Sequence, residues 1–124
     1  MPSPPLAPDD SPIDIAHLDR MTLGDPGLER EVLAMFSAQA LGLVGKLMAL
    51  PAEAGCSKTS AKTLELAHQL KGSARAIGAF AVAEAAEDLE NAARNGDDQV
   101  QALARLKDTV TEARAAIDAL LRRC

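Results

Sequence analysis

Aromatic side chains are nearly absent from this 124-residue sequence: Phe36 and Phe80 are the only two, and there is no tryptophan or tyrosine. The β-branched, aromatic-rich runs that make strands are missing as well, which argues against a sheet. No lysine–arginine stripe runs through a chain of net charge −5, so a nucleic-acid partner is not expected. No apolar run approaches the roughly 20 residues of a bilayer span, so no membrane association is expected. The N-terminal MPSPPLAPDDSP lacks both the basic and the apolar region of a signal peptide. A soluble, cytoplasmic protein is expected. Cysteine is scarce too. Cys56 and Cys124 have no Cys or His neighbour at a metal-ligand spacing, so no metal site is expected. A reducing cytosol disfavours a disulfide between them, and they read as incidental thiols.

What is present is alanine and leucine, within a hydrophobic share of 48%. That composition favours closely packed helices, and the length fits one small domain. Residues 1–12, proline-rich at the start, read as a flexible arm, and 13–124 as the domain. Ile15, Leu18 and Met21 recur every third residue, which predicts a short helix over about 13–21. Asp25 and Pro26 then read as N-cap and first residue of a long helix, with Glu29 and Glu31 favouring its positive start. Its apolar face is expected to carry Leu28, Val32, Met35, Phe36, Leu43, Leu47 and Leu50, with Pro51 as the stop. Ser57, Thr59 and Ser60 are candidate caps of the next helix, which Gly78 terminates. A helix from about Phe80 to Gly96 buries Val82, Ala86, Leu89 and Ala93. After Asp97 or Asp98, the last helix carries Val100, Leu103, Leu106, Val110, Ala113, Ile117, Leu120 and Leu121. The expected fold class is all-α. Its simplest form is an antiparallel up-down-up-down four-helix bundle with a short extra N-terminal helix.

The stretch LAHQLKGSARAIGA, from Leu66 to Ala79, poses a question, because Gly72 costs a helix interior about 1 kcal/mol relative to alanine. At about 100° per residue, Ala67, Leu70, Ala74 and Ile77 share the core stripe, while His68 lies toward solvent. Lys71, Gly72 and Arg75 fall near His68 on the same side, and Leu64 sits one turn before it. The histidine is therefore expected to be exposed, flanked by two cations and a missing side chain. Such a hole suits a bulky approaching group and the cations suit an anionic one, which together describe phosphate. A neutral imidazole, with an ordinary pKa near 6.5, is a good phosphoryl acceptor at neutral pH. Reflecting residue numbers about the Gly78–Ala79 turn brings Glu90 opposite His68, with Arg94 one turn further. A carboxylate on Nδ1–H would leave Nε2 free as nucleophile. A solvated Glu90 is the competing reading. His17 has none of these neighbours and reads as structural or solvated.

AHQLKGSARAIGA resembles the characteristic segment of histidine-containing phosphotransfer (HPt) domains of bacterial phosphorelays, and DLENAARNGD resembles the Leu-Glu segment of their following helix. The resemblance spans about 13–121. It implies that His68 is phosphorylated at Nε2, that Lys71 offsets phosphoryl charge, and that Gly72 gives a docking partner room. It also implies that Glu90 bonds the histidine and that Arg94 lies near the phosphoryl group. Docking is then expected around Leu64, Gly72, Arg75 and Arg94, with Leu18 or Met21 adding apolar contacts. The implied protein is a stand-alone, monomeric phosphocarrier. It would take a phosphoryl group from a receiver-domain phospho-aspartate and pass it to the aspartate of another response regulator. A hybrid histidine kinase is the other implied partner. No cofactor is expected on the chain itself, since the receiver domain supplies Mg²⁺. No Gly-rich nucleotide loop or Walker motif is present, so the chain is not expected to be a kinase or other enzyme. The alternative is a helical interaction or scaffold module of the same fold without the phosphate chemistry.

Overall fold

Local capping chemistry sets the helix starts. A computed structural model of the protein describes residues 12–50 and 57–122, the side chains of 57–60 excepted. Asp14 caps α1 (Ile15–Met21) by accepting from the backbone N–H of His17 at 3.1 Å. Asp25 caps α2 (Pro26–Ala49), its Oδ1 accepting from Gly27 at 3.0 Å and Leu28 at 3.2 Å, with Pro26 spending no N–H at the first position. α3 (Ser57–Ile77) ends where Gly78 takes a φ of 87°, and α4 (Phe80–Asn95) ends at Gly96 with a φ of 74°. Both are left-handed positions that glycine adopts without a Cβ penalty. Asp98 then accepts from Val100 at 2.9 Å to open α5 (Val100–Arg122). All five described elements are α-helices. Thr59 and Ser60, expected as caps, lie inside α3 because the helix is already formed at Ser57. The arm through residue 11, Pro51, Cys56 and Cys124 lie outside the described residues.

Packing runs in a ring. α2 lies against α3 and α5, α3 against α4, and α4 against α5, while α1 lies on α3. Leu70, Leu89, Leu106 and Ile117 fill the middle, each 0–1% exposed. Truncating such a leucine to alanine costs about 2–5 kcal/mol. α4 buries Val82, Ala86, Leu89 and Ala93 as expected, and α5 buries Leu106, Val110, Ala113 and Ile117. Val100, assigned to the α5 stripe by periodicity, is exposed in the first turn. Arg105 of α5 ties the outer edge of this pair by bonding Glu84, at 3.0 Å, and Asp88.

α2 differs from its expected face. Its buried side carries Leu33, Phe36, Ala40, Leu43, Val44 and Leu47, whereas Leu28 and Met35 are exposed. The helix is apolar around most of its circumference, so periodicity alone does not select the inward face. The same composition makes α2 long and apolar enough to cross a membrane by length and composition, with less than half of that stretch buried. This corrects the expectation that no stretch reaches that length. The inward side of α2 nonetheless packs on α3 and α5 as a core helix does.

α1 is held at both ends. The backbone N–H of Asp14 donates to the carbonyl of Gly78 at 2.9 Å, which pins the start of α1 on the α3–α4 turn. At the other end Thr22, 2% exposed, donates to Leu18 O and Glu29 Oε2. The nearby Asp19 carboxyl, with some burial, raises the Glu29 pKa against the opposing Thr22 bond. Ile13 and Leu18 enter the core, but Ile15 and Met21 do not. Leu18, expected as a docking contact, is therefore a core residue. His17 sets its ring edge-on against Phe80, with centroids 5.1 Å apart, which fits its structural reading.

Candidate functional site

α3 and α4 share the most extensive contact of any two helices in the described fold, and their facing sides bring one imidazole and a set of charges together. His68 stands on the outward side of α3, its side chain 72% exposed, because Ala67 and Leu70 take the inward positions. Across the hairpin, Glu90 is only 3% exposed although it is an acid on a helix. Its Oε2 faces His68 Nδ1 at 3.2 Å, and its Oε1 lies 2.6 Å from Lys71 Nζ. Arg94, one turn on along α4, brings its guanidinium to 3.8 Å of Oε2.

These partners explain how a carboxylate is tolerated there. Burial pushes the Glu90 pKa up, but the Lys71 bond and charge, with His68, outweigh it and hold the group below its ordinary value. Glu90 is thus ionised at neutral pH and can only accept. Its contact with the imidazole accordingly selects the tautomer in which Nδ1–H donates. Nε2 then carries the free lone pair, and no side chain or backbone group among the described residues bonds it.

The wheel puts Lys71 with Arg75 on the His68 side of α3. The Lys71 side chain is 15% exposed, with its ammonium on Glu90, the carboxylate that also faces His68. The ammonium meets the buried carboxylate at the junction of α3 and α4 while the side chain keeps some exposure. Arg75, 54% exposed, reaches Glu87 at 3.5 Å, and the same carboxylate lies 4.0 Å from Lys71. Sequence reasoning missed Glu87. The reflection that sets Glu90 opposite His68 also sets Glu87 opposite Lys71, so the signal was available one turn earlier on α4. Gly72 is exposed, and a Cβ built there meets nothing within 4 Å. Leu64 is half-buried, and Arg94 is 60% exposed and also bonds Asn91. Among the described residues no group of three or more His, Cys, Asp or Glu side chains is placed to hold a metal ion.

The chain matches the family model described as "Hpt domain" over residues 31–116. Among solved structures it resembles a putative histidine-containing phosphotransfer protein from rice. The TM-score is 0.73 at 22% identity, covering 91% of this chain and 81% of that one, a likeness of fold. Among curated proteins no relative matches. The family match takes in α3 and α4 whole from Ser57 onward, including the imidazole, its carboxylate and the surrounding cations. On this match the chain belongs to the Hpt domain family, the phosphotransfer modules of phosphorelays.

Proposed function

We propose that the chain is a phosphocarrier in which His68 Nε2 takes a phosphoryl group from a receiver-domain phospho-aspartate and gives it to the aspartate of a second receiver. The observation that carries this reading is the exposed His68 imidazole held through Nδ1 by the buried, ionised Glu90 at 3.2 Å. The up-down-up-down bundle is part of the same reading, since its α3–α4 hairpin is what opposes the two residues. At the family level Hpt proteins work with response-regulator receivers and histidine kinases and are carriers rather than kinases.

In the step, the Nε2 lone pair forms the N–P bond while the P–O bond to the partner aspartate breaks. The aspartate leaves as a carboxylate with the bonding electron pair. The ring becomes cationic with its proton still on Nδ1, and Glu90 lies opposite that charge, stabilising it where it develops. The return step reverses each of these changes. The remaining work is positioning and charge neutralisation, which is most of phosphoryl transfer. Arg75 and Arg94 are the exposed cations of the face and supply charge to the incoming phosphoryl group. Lys71 acts first through Glu90, keeping it ionised, and secondarily on the phosphoryl group. Mg²⁺ belongs to the receiver. Gly72 leaves the partner room above the imidazole.

The test is a transfer assay with a receiver domain carrying labelled phosphate on its aspartate. Label is expected to move to the chain as an acid-labile, base-stable adduct and to be absent in His68→Ala. Label retained by His68→Ala overturns the site. Failure of every receiver offered favours the scaffold reading.

A further inference from the structure

The acids of α4 divide between its two neighbours. Glu84 and Asp88 bond Arg105 of α5, while Glu87 and Glu90 face α3. Glu90 has its work on His68 and Lys71. Glu87 has none in the transfer step, yet its Oε2 lies 3.5 Å from Arg75 and 4.0 Å from Lys71. Arg75 and Glu87 are both about half exposed, and a solvated pair of that kind contributes little to stability. Its position is more informative than its strength. His68, Gly72 and Arg75 stand at i, i+4 and i+7 of α3, one row along a single side. Helical Cα–Cβ bonds tilt toward the N-terminus, so the Arg75 side chain leans back along that row toward His68. Gly72 puts no side chain between them, and a Cβ there would meet nothing within 4 Å. Glu87 instead draws the guanidinium across to α4.

The charges of the seam show which cation is free to move. Before transfer Lys71, Arg75 and Arg94 stand among the carboxylates of Glu87 and Glu90. A phosphoryl group brings up to about two further negative charges, and a cation must turn to meet them. Lys71 is the hardest to spare. Its ammonium is 2.6 Å from the buried Glu90, and leaving would strip that carboxylate of its nearest counter-charge. Arg94 needs no move, since it already stands 3.8 Å from the Glu90 oxygen that faces His68. Arg75 parts only from a solvated carboxylate, and Glu87 keeps Lys71 within 4.0 Å when it goes.

We infer that Glu87 is a positioning residue of the transfer face: it holds the Arg75 guanidinium aside until His68 is phosphorylated, then competes with the phosphoryl group for it. The inference rests on His68 being the phosphorylated residue. The competition has a direction. A carrier must release what it accepts, and a carboxylate that pulls Arg75 back loosens the hold on the phosphoryl group. Without Glu87 the group is held more tightly and leaves more slowly.

Phosphorus NMR on the full chain tests it. Phosphoramidate loads the chain without a receiver: the bond from Nε2 to phosphorus forms as the P–N bond of the reagent breaks, and ammonia leaves with the bonding pair. In Glu87→Gln the phosphoryl signal is expected to titrate at lower pH than in wild type. Release to an unphosphorylated receiver should slow about threefold, with helicity by circular dichroism unchanged. Arg75→Gln is expected to move the titration the other way. In the Arg75→Gln background the effect of Glu87→Gln should fall below about half its size. A Glu87→Gln chain that titrates and releases as wild type does overturns the inference. So does an effect that keeps half or more of its size without Arg75. A wild type that takes no phosphoryl group, or a His68→Ala chain that takes as much, overturns the phosphocarrier reading itself, which tells the two failures apart.

Discussion

Gly72 and Gly78 lie on the same stretch of chain and have opposite reasons to be glycine. At Gly78 the reason is internal. Its φ is 87°, and a Cβ there would sit 2.8 Å from the Asp14 carbonyl oxygen that crosses above it. At Gly72 the helix is regular and the space around a Cβ is empty. The fold demands the first, and nothing within the described fold demands the second. The open position stands one turn from an exposed imidazole, which in the proposed transfer is where an incoming receiver would need clearance.

Substitutions separate the two reasons. Gly78→Val is expected to have the largest effect on stability, since left-handed strain of about 1–2 kcal/mol adds to a clash with the Asp14 backbone. Thermal unfolding should fall by more than about 8 °C, while labelling per folded molecule stays near wild type. A midpoint within a degree of wild type would refute the internal reason. Glu90→Ala comes next. It leaves the largely buried Lys71 ammonium without its 2.6 Å partner, a loss of about 1–3 kcal/mol, and it frees the imidazole. Nitrogen NMR should then show the Nδ1–H form losing its excess, and an unchanged tautomer ratio would count against the contact. Gly72→Leu is expected to raise stability by about 0.5–1 kcal/mol through helix propensity and yet to slow transfer at least tenfold. Fast transfer in a more stable protein would remove the clearance argument.

The smallest effect is the pH dependence. The folded pKa of Glu90 lies below its ordinary value of 4.5. Its charge therefore contributes stability that is present above that value and lost as pH falls through the lowered folded one. Unfolding midpoints of wild type and Glu90→Gln, compared from about pH 7 to about pH 3, should converge only at the acid end. A gap that stays constant throughout would mean that the Glu90 charge does not contribute.

The same two glycines show what a sequence discloses. Gly78, Gly96, Asp25 and Asp98 mark helix ends through local chemistry, and the observed ends of α3 and α4 follow them. The opposition of His68 and Glu90 was legible because a short turn reflects residue numbers across a hairpin. The direction of long side chains was not. Lys71 lies on the same side of the wheel as the exposed His68 and Arg75, and only the packing of α4 against α3 supplies the Glu90 carboxylate that its ammonium meets. The inward face of α2 was illegible for another reason. With Met35 and Leu41 as apolar as Leu33 and Val44, the pattern offers two candidate cores, and only packing against α3 and α5 chooses.

The central claim is chemical and concerns one atom. Phosphorylating the ¹⁵N-histidine-labelled chain with a phosphorylated receiver and recording ¹⁵N–³¹P couplings locates the phosphoryl group directly. Coupling to Nε2 of His68, with Nδ1 still protonated, is the expected result. Phosphorus on Nδ1, on His17, or on no histidine at all would contradict the account.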